Sequence, residues 1–309
     1  RYGLRRSRRR QFQKRIAAMV NPPTISILMP VYNTPEAWLR EAVKTVRNQV
    51  YPHWQLCLVD DASPAAHVRP LLESLAAEDD RIQVFFRPVN GGISHASNDA
   101  LALATGEFTV LMDHDDWLTE QALFRVAEMV QQDDPDLFYS DEALVTPEGE
   151  LIVPLFRPAF SLELLRSHPY IVHLVGFRTK LLREIGGFRS FLTISQDYDL
   201  ILRASERANV ISHIPEILYL WRQHDTSTGN QRKADVMEVS RDILLDHLER
   251  CHEPADVTSG LWFNYFQVRY ARCEPAKVAI VIPTKNYANL VRQCIESIAA
   301  TTDPKLYEI

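Results

Sequence analysis

Cysteine is scarce and scattered. Four are present among 309 residues, Cys57, Cys251, Cys273 and Cys294, and no two stand in C-x-x-C spacing. That argues against a disulfide framework or a zinc site and points to a reducing cytosol. Long apolar runs are also lacking, since none approaches the roughly 18 residues of a membrane-spanning helix. The glycine fingerprint G-x-G-x-x-G is missing after the first expected strand, where the chain reads MPVYNTPEAW, which removes a Rossmann oxidoreductase. Acidic residues are absent from the first fifteen positions, RYGLRRSRRRQFQKR, which hold eight basic residues. The net charge is -6, so the chain beyond this +8 leader carries -14. The leader is expected to be a disordered or fraying helical tail. Its alternative is attraction to anionic lipid headgroups at about 1 kcal/mol per basic residue. The acidic body opposes nucleic-acid binding. The chain opens on Arg1 rather than Met, so a natural N-terminus is expected upstream.

What is present is an ordinary globular composition, 46% hydrophobic and 24% charged, long enough for one large domain or two small ones. After NPP (21–23), TISILMPVYN reads as a buried strand, and Thr34–Pro35 as the N-cap and first residue of a helix whose apolar positions include Leu39, Val43 and Val46. WQLCLVDDAS is a second strand, 65–79 a helix, RIQVFFRP a third strand. NGGISHASNDALALATG gives a Gly-rich turn and a helix, EFTVLMDHDD a fourth strand, and 119–132 another helix. This alternation predicts an α/β fold with a mostly parallel sheet, in which ligands gather beyond the carboxyl ends of the strands. DLFYSDEALVTPEGELIVP (136–154) reads as a hairpin-like excursion whose Asp141 and Glu142 reach an acceptor or, the favoured reading, solvate its turn.

The C-terminal part repeats the start. ISILMPVYN (25–33) matches VAIVIPTKN (278–286), LREAVKTV (39–46) matches VRQCIESI (291–298), and HWQL (53–56) matches LYEI (306–309). The expected organisation is a leader (1–23), a main domain (24–255), a linker (256–276) and the truncated start of a second module (277–309).

Acids cluster where a parallel sheet binds ligands. Asp113 and Asp115 leave the fourth strand two residues apart, a spacing that lets one carboxylate take a hard cation such as Mg2+ or Mn2+ while the other reaches the same ion or a neighbouring hydroxyl. A solvated acidic turn has the same pattern, and Asp116 suits an N-cap for a helix from 117 onward. Asp60 and Asp61 end the second strand, where a carboxylate accepts from a base N–H or a ribose hydroxyl or forms an Asx-turn into Ser63. QDYDLILRASE sets Asp197 and Asp199 at a helix start, a position that also serves the helix dipole. YLWRQHDTST brings Arg222 and a possible metal ligand, His224.

PVYN, VDDAS, NGGISHASNDAL…ATGEF, DHDD, IGGF, QDYDL and WRQH stand in one order from Ile25 to Thr228. In that order and spacing the chain resembles the family 2 nucleotide-sugar glycosyltransferases, whose fold is GT-A, a Rossmann-like three-layer α/β arrangement. YSDEAL, FRPAFSLELL and IPEILYLWR are similar to the branch that builds O-antigen and other bacterial surface polysaccharides, often with tandem modules. The resemblance implies that Pro30 and Tyr32 border the nucleobase and that Asp61, with Asp60, holds the base and ribose. Asp115 would bind the metal, Asp113 the ribose or metal, and His224 matches a metal ligand of some members. Asp197 would be the catalytic base, with Gln196 where the family usually has Glu. Arg222 joins the donor-binding set, and Gly91 and Gly92 would offer backbone N–H groups near the donor.

The implied reaction is inverting, metal-dependent transfer from a UDP-, dTDP- or GDP-sugar to a glycan or lipid-linked glycan hydroxyl, in the cytoplasm, with the cytoplasmic face of the inner membrane as the narrower alternative. Residues 225–235 are a candidate for a segment that orders over the donor. The competing reading is a catalytically weak nucleotide-sugar-binding module supporting a second, active one, to which Gln196 lends weight. A phosphatase with an aspartyl nucleophile would leave QDYDL and WRQH unexplained.

Overall fold

The computed structural model describes residues 5–224, 232–271 and 277–309. Its main sheet begins with β1 (Ile25–Val31), β2 (Trp54–Asp60), β3 (Ile82–Phe86) and β4 (Phe108–Leu111), connected by α2 (Glu36–Arg47), α3 (Val68–Glu78) and α4 (Ile93–Leu103). After β5 (Trp117–Leu118) and α5 (Ala122–Asp133) come β6 (Leu137–Val145), β7 (Leu151–Leu155), α6 (Leu162–Ser167), β8 (Val175–Arg178), α7 (Thr179–Glu184), α8 (Gln196–Ser205) and β9 (Ile211–Arg222). The strand order is β3-β2-β1-β4-β8-β6-β9-β5, with β7 on β6. β3, β2, β1, β4, β6 and β9 run one way, and β8, β5 and β7 run against them.

The sheet is covered on both faces, which is why β1 and β2 read as unbroken apolar runs rather than alternating ones. Ile25, Ile27, Met29 and Val31 enter one core with α2, α3 and α5. Leu28 of β1, with Cys57 and Val59 of β2, enters the other, beneath α4 and α8. This three-layer α/β arrangement with a mostly parallel sheet is the expected fold class.

Several local expectations need correction. Residues Arg6–Ala17 form a helix, α1, and it is docked rather than loose. Phe12 is 2% exposed and lies 4.6 Å from the Phe124 ring of α5, while Arg15 pairs with Glu128. An apolar side chain on a basic helix was enough to seat it, and Glu128 of α5 and Glu120 just before it meet its charge. Thr34 and Pro35 sit one position earlier than expected: Pro35 is the N-cap residue and makes no side-chain capping bond. Asp116 caps no helix, because 117–118 form a strand paired with β9. The expected linker carries structure. Ala255–Ser259 (β10) and Phe266–Tyr270 (β11) pair as a hairpin, and Val257 and Phe266 bury themselves in the core that α9 (Lys233–Arg250) also enters.

The C-terminal segment folds as β12 (Val278–Ala279), α10 (Ala288–Thr301) and β13 (Tyr307–Glu308). β12 and β13 are parallel, with Val278 opposite Tyr307 and Ala279 opposite Glu308. In the first copy Ile25 lies opposite Trp54 and Ser26 opposite Gln55. These are the residues the sequence repeat equates. Asn33 and its counterpart Asn286 both take positive φ, 55° and 61°.

Candidate functional site

Parallel register brings the acidic strand ends to one edge. Val31 lies opposite Asp60, and Leu28 opposite Leu111. The amide of Asp61 donates to Val31 O, and that of Met112 to Leu28 O. Tyr32, Asp60, Asp61 and Asp113 therefore leave the sheet on the same side. Pro30 sits at the end of β1, and Tyr32 is exposed beside it.

The β2 end is built inward. Asp60 accepts from the Ser63 amide at 3.1 Å, which is the Asx-turn alternative. Asp61 is buried and accepts from the amides of Gly91 (2.9 Å) and Gly92 (2.8 Å), with Arg87 Nε at 3.4 Å. The two glycine N–H groups expected near a donor are thus engaged by Asp61. A carboxylate buried without donors would cost several kcal/mol, and these amides offset that. A Cβ at Gly91 would meet the Arg87 guanidinium at 2.8 Å, so a larger residue there would push that flexible side chain aside. Ala62 holds φ +56°, a conformation that glycine adopts without strain.

The β4 end is latched from β9. Asp116 is buried and accepts from Tyr219 Oη at 2.8 Å and from the Arg222 amide at 2.7 Å. Tyr219 Oη also accepts from the Asp113 amide. Burial, then the charges of Asp113 and Asp115, push the Asp116 carboxyl well above the usual range. The Arg222 side chain is spent on the protein. It donates to Asp115 O, Pro147 O and Glu41, and its guanidinium lies 4.0 Å from the Trp117 ring centroid. Arg222 was expected to touch the donor; its contacts instead fix the loop that presents Asp115.

Asp115 and His224, both expected metal ligands, meet: His224 Nε2 is 2.8 Å from Asp115 Oδ2. Asp113 keeps 43% of its side chain exposed, with His173 Nε2 at 3.7 Å. Its carboxyl is pushed up to about 7, first by the protein crowded around it, then by the charge of Asp115 and, more weakly, of Asp197. Asp197 opens α8, half-buried, accepting from the Tyr198 amide at 2.8 Å. Its charge reaches both Asp113 and His173. Asp199 is withdrawn from the site: it is buried and paired with Arg203 at 2.7 Å.

Sequence reasoning missed four residues. Asp116 and Tyr219 form the latch, His173 flanks Asp113, and the charge of Glu142 acts on His173. Asp141 and Glu142 do not solvate a turn; both are buried in the middle of the sheet, Asp141 accepting from the Arg157 amide and His213, Glu142 pairing with Arg157. The available signal was the number of charges. Three acids in four positions cannot all face solvent from a buried strand, and "YSDEAL" sets two acids inside an apolar run. Of the segment expected to order over a donor, 225–231 lie outside the described residues, and Lys233 begins α9.

A hard divalent cation fits this donor set. The ligand atoms of Asp113, Asp116 and His173 lie within 4.8 Å of one another among the described residues, Asp115 of the same loop meets His224 at 2.8 Å, and burial followed by the charge of Asp115 raises the proton affinity of Asp113.

The model of glycosyl transferase family 2 matches residues 26–183, over half of the chain. The chain belongs to that family. It is 34% identical over 305 residues to the O-antigen biosynthesis protein RfbC of Myxococcus xanthus, covering 96% of this chain and 24% of that protein. It is 37% identical over 294 residues to the uncharacterized protein y4gI of Sinorhizobium fredii, covering 93% of this chain and 32% of that one. The chain thus spans a third or less of these relatives. Among solved structures, TarS 1-349 of S. aureus with UDP-GlcNAc superposes with a TM-score of 0.61 at 22% identity, over 73% of this chain and 66% of that one. A mannosyltransferase of Pyrobaculum calidifontis, with GDP-Man and Mn2+, gives 0.55 at 18% identity, over 80% and 72%. The shared fold is GT-A.

Proposed function

We propose that this chain transfers a sugar, with inversion, from a nucleoside-diphosphate sugar to a hydroxyl of a glycan acceptor in bacterial surface-polysaccharide synthesis. The observation that carries this is the pairing of Asp115 with His224 on the loop beyond the carboxyl end of β4, where Asp113 feels the charges of Asp115 and Asp197. Asp115, Asp113 and His224 would hold Mn2+ or Mg2+, which when bound offsets the charge of the diphosphate leaving group. Asp61, fixed by Gly91 and Gly92, faces the base side of the donor with Pro30 and Tyr32. Asp197 takes the acceptor's proton as its oxygen attacks the anomeric carbon from the face opposite the diphosphate. The donors bound by TarS and by the Pyrobaculum calidifontis mannosyltransferase support a nucleotide-sugar donor here.

Thermal shift and turnover with UDP-, dTDP- and GDP-sugars plus Mn2+ test the reading. Saturation at 100 times the dissociation constant adds about 2.7 kcal/mol of stability, and Asp197→Asn lowers turnover roughly 10²–10⁴-fold while leaving the shift. Retained turnover in that variant would remove the general-base role. Binding without turnover in the wild type would favour the second reading, a nucleotide-sugar-binding module, for which Gln196 speaks.

Residues 277–309 are read as the start of a second glycosyltransferase module. The pairing of Val278 with Tyr307, in the register of Ile25 with Trp54, supports this. Among the described residues no helix is long and apolar enough to cross a membrane. Arg6, Arg8, Arg10 and Lys14 on α1 are exposed and suit peripheral contact with an anionic cytoplasmic leaflet.

A further inference from the structure

His173 is held more tightly than a surface histidine needs. Its ring stacks on Tyr219, centroids 4.4 Å apart and 11° between planes, and meets Trp221 edge-on at 5.3 Å. Tyr219 is the residue whose hydroxyl accepts from the Asp113 amide and donates to Asp116. The same aromatic clamp therefore fixes the acidic loop and the imidazole beside it. One ring nitrogen, Nε2, lies 3.7 Å from Asp113 Oδ2, just beyond hydrogen-bond reach. The other, Nδ1, is buried with no hydrogen-bond partner.

Two more buried polar atoms lack partners, Nε of Arg157 and Oε2 of Glu142, in groups whose charges act on the ring. Glu142 is 0% exposed and its other oxygen is paired with Arg157. The sheet explains the proximity. β6 and β8 are antiparallel with Tyr139 opposite Val175, so the chain running forward to Glu142 passes the chain running back to His173. The Ser140 amide donates to Leu174 O, continuing that pairing. The charges of both Glu142 and Arg157 are felt at the ring. A buried ion pair is costly to assemble, and this one stands behind a histidine that faces the acidic loop.

We propose that His173 is a positioning residue for Asp113. Its Nε2–H donates to Asp113 Oδ2, leaving the other carboxylate oxygen to the cation, while Arg157, held by Glu142, supplies at Nε the donor that Nδ1 lacks. This assigns a role to three residues outside the loop of Asp113 to Asp116, and it rests on the reading of Asp113 as a metal–nucleotide ligand. Such supporting hydrogen bonds fix the orientation of a ligand carboxylate, and their loss typically costs 10–100-fold in metal affinity.

The test titrates Mn2+ by calorimetry into the protein with whichever of UDP, dTDP or GDP shifts the wild-type melting temperature. His173→Phe keeps an aromatic ring on Tyr219 but has no donor; it should weaken Mn2+ half-saturation 10–100-fold. His173→Gln loses the ring but presents an amide N–H near the Nε2 position; it should stay within about 3-fold of wild type. Arg157→Lys should fall between them. A packing role predicts the reverse order for the two His173 variants, and that order overturns the proposal. Asp115→Ala separates the two readings. If it abolishes Mn2+ binding while His173→Phe binds as wild type, the positioning role falls and the metal site stands. If Asp115→Ala binds as wild type, or the wild type binds none of the three mixtures, the metal-site reading falls and takes the positioning role with it.

Discussion

The β1–α2–β2 unit and the β12–α10–β13 unit carry related sequences and pair their strands in the same register, yet they differ in burial. In α2, Leu39, Ala42, Val43 and Val46 are fully buried. Their counterparts in α10, Val291, Cys294, Ile295 and Ile298, include none that is buried. Strand pairing, the helical apolar stripe and the left-handed Asn are local properties and recur wherever the sequence recurs. Burial is not local. It depends on the sheet and helix layers that the first copy has around it, and most helix stability comes from such packing.

Substitutions at equivalent positions sharpen this difference. Val43→Asp places an unpaired charge in a closed core and should cost more than about 4 kcal/mol, enough to unfold a marginal domain. Ile295→Asp, at a position 38% exposed, should change the unfolding free energy by under about 0.5 kcal/mol. Urea denaturation of both measures the contrast; equal costs would mean that α10 is packed as tightly as α2.

Ion pairs should divide in the same way. Glu206 is paired with His247 and Arg250, and these partners outweigh its burial, holding its carboxyl down to about 2. A lowered folded-state value means that the stability it contributes is present above its ordinary value of 4.5 and is lost as pH falls toward 2. Glu206→Gln should therefore cost about 1.5–3 kcal/mol at neutral pH, and the difference from wild type should shrink as pH drops through that window. Glu308→Gln breaks an exposed pair with Lys277 and should change little, within about 0.5 kcal/mol. A Glu206 difference that grows on acidification would contradict the sign of this linkage.

The smallest effect concerns the shared asparagine. Asn33→Ala forces a Cβ-bearing residue without a polar group into the left-handed region and should cost about 1 kcal/mol. Asn286→Ala carries the same local strain but should leave the main unfolding transition in place. A shift of that transition by Asn286→Ala would show that the two copies unfold as one unit.

Much of the fold was legible in the sequence because strand–helix alternation and acids at strand ends are set by neighbours in the chain. Asp115 and His224 were readable as joint metal ligands only through the family resemblance, and they do meet. Other parts were not readable. Asp116 looked like a cap because its neighbours allow one, but Tyr219 and Arg222, more than 100 positions away, turn it into a buried latch. Gly91 and Gly92 looked available to a ligand until Asp61 folded against them. Glu142 looked solvated in a turn because nothing local shows that β6 lies between β8 and β9.

By itself, then, the sequence determined the alternation of strands and helices, the delivery of carboxylates to one sheet edge, and a repeat whose register could be read residue by residue. Only the tertiary structure decided which of those carboxylates face the site and which are consumed inside the protein. The reason is desolvation: a buried acid is tolerated only where donors wait for it, and here those donors come from β9, from the turn before α4, and from Arg157 and Arg203.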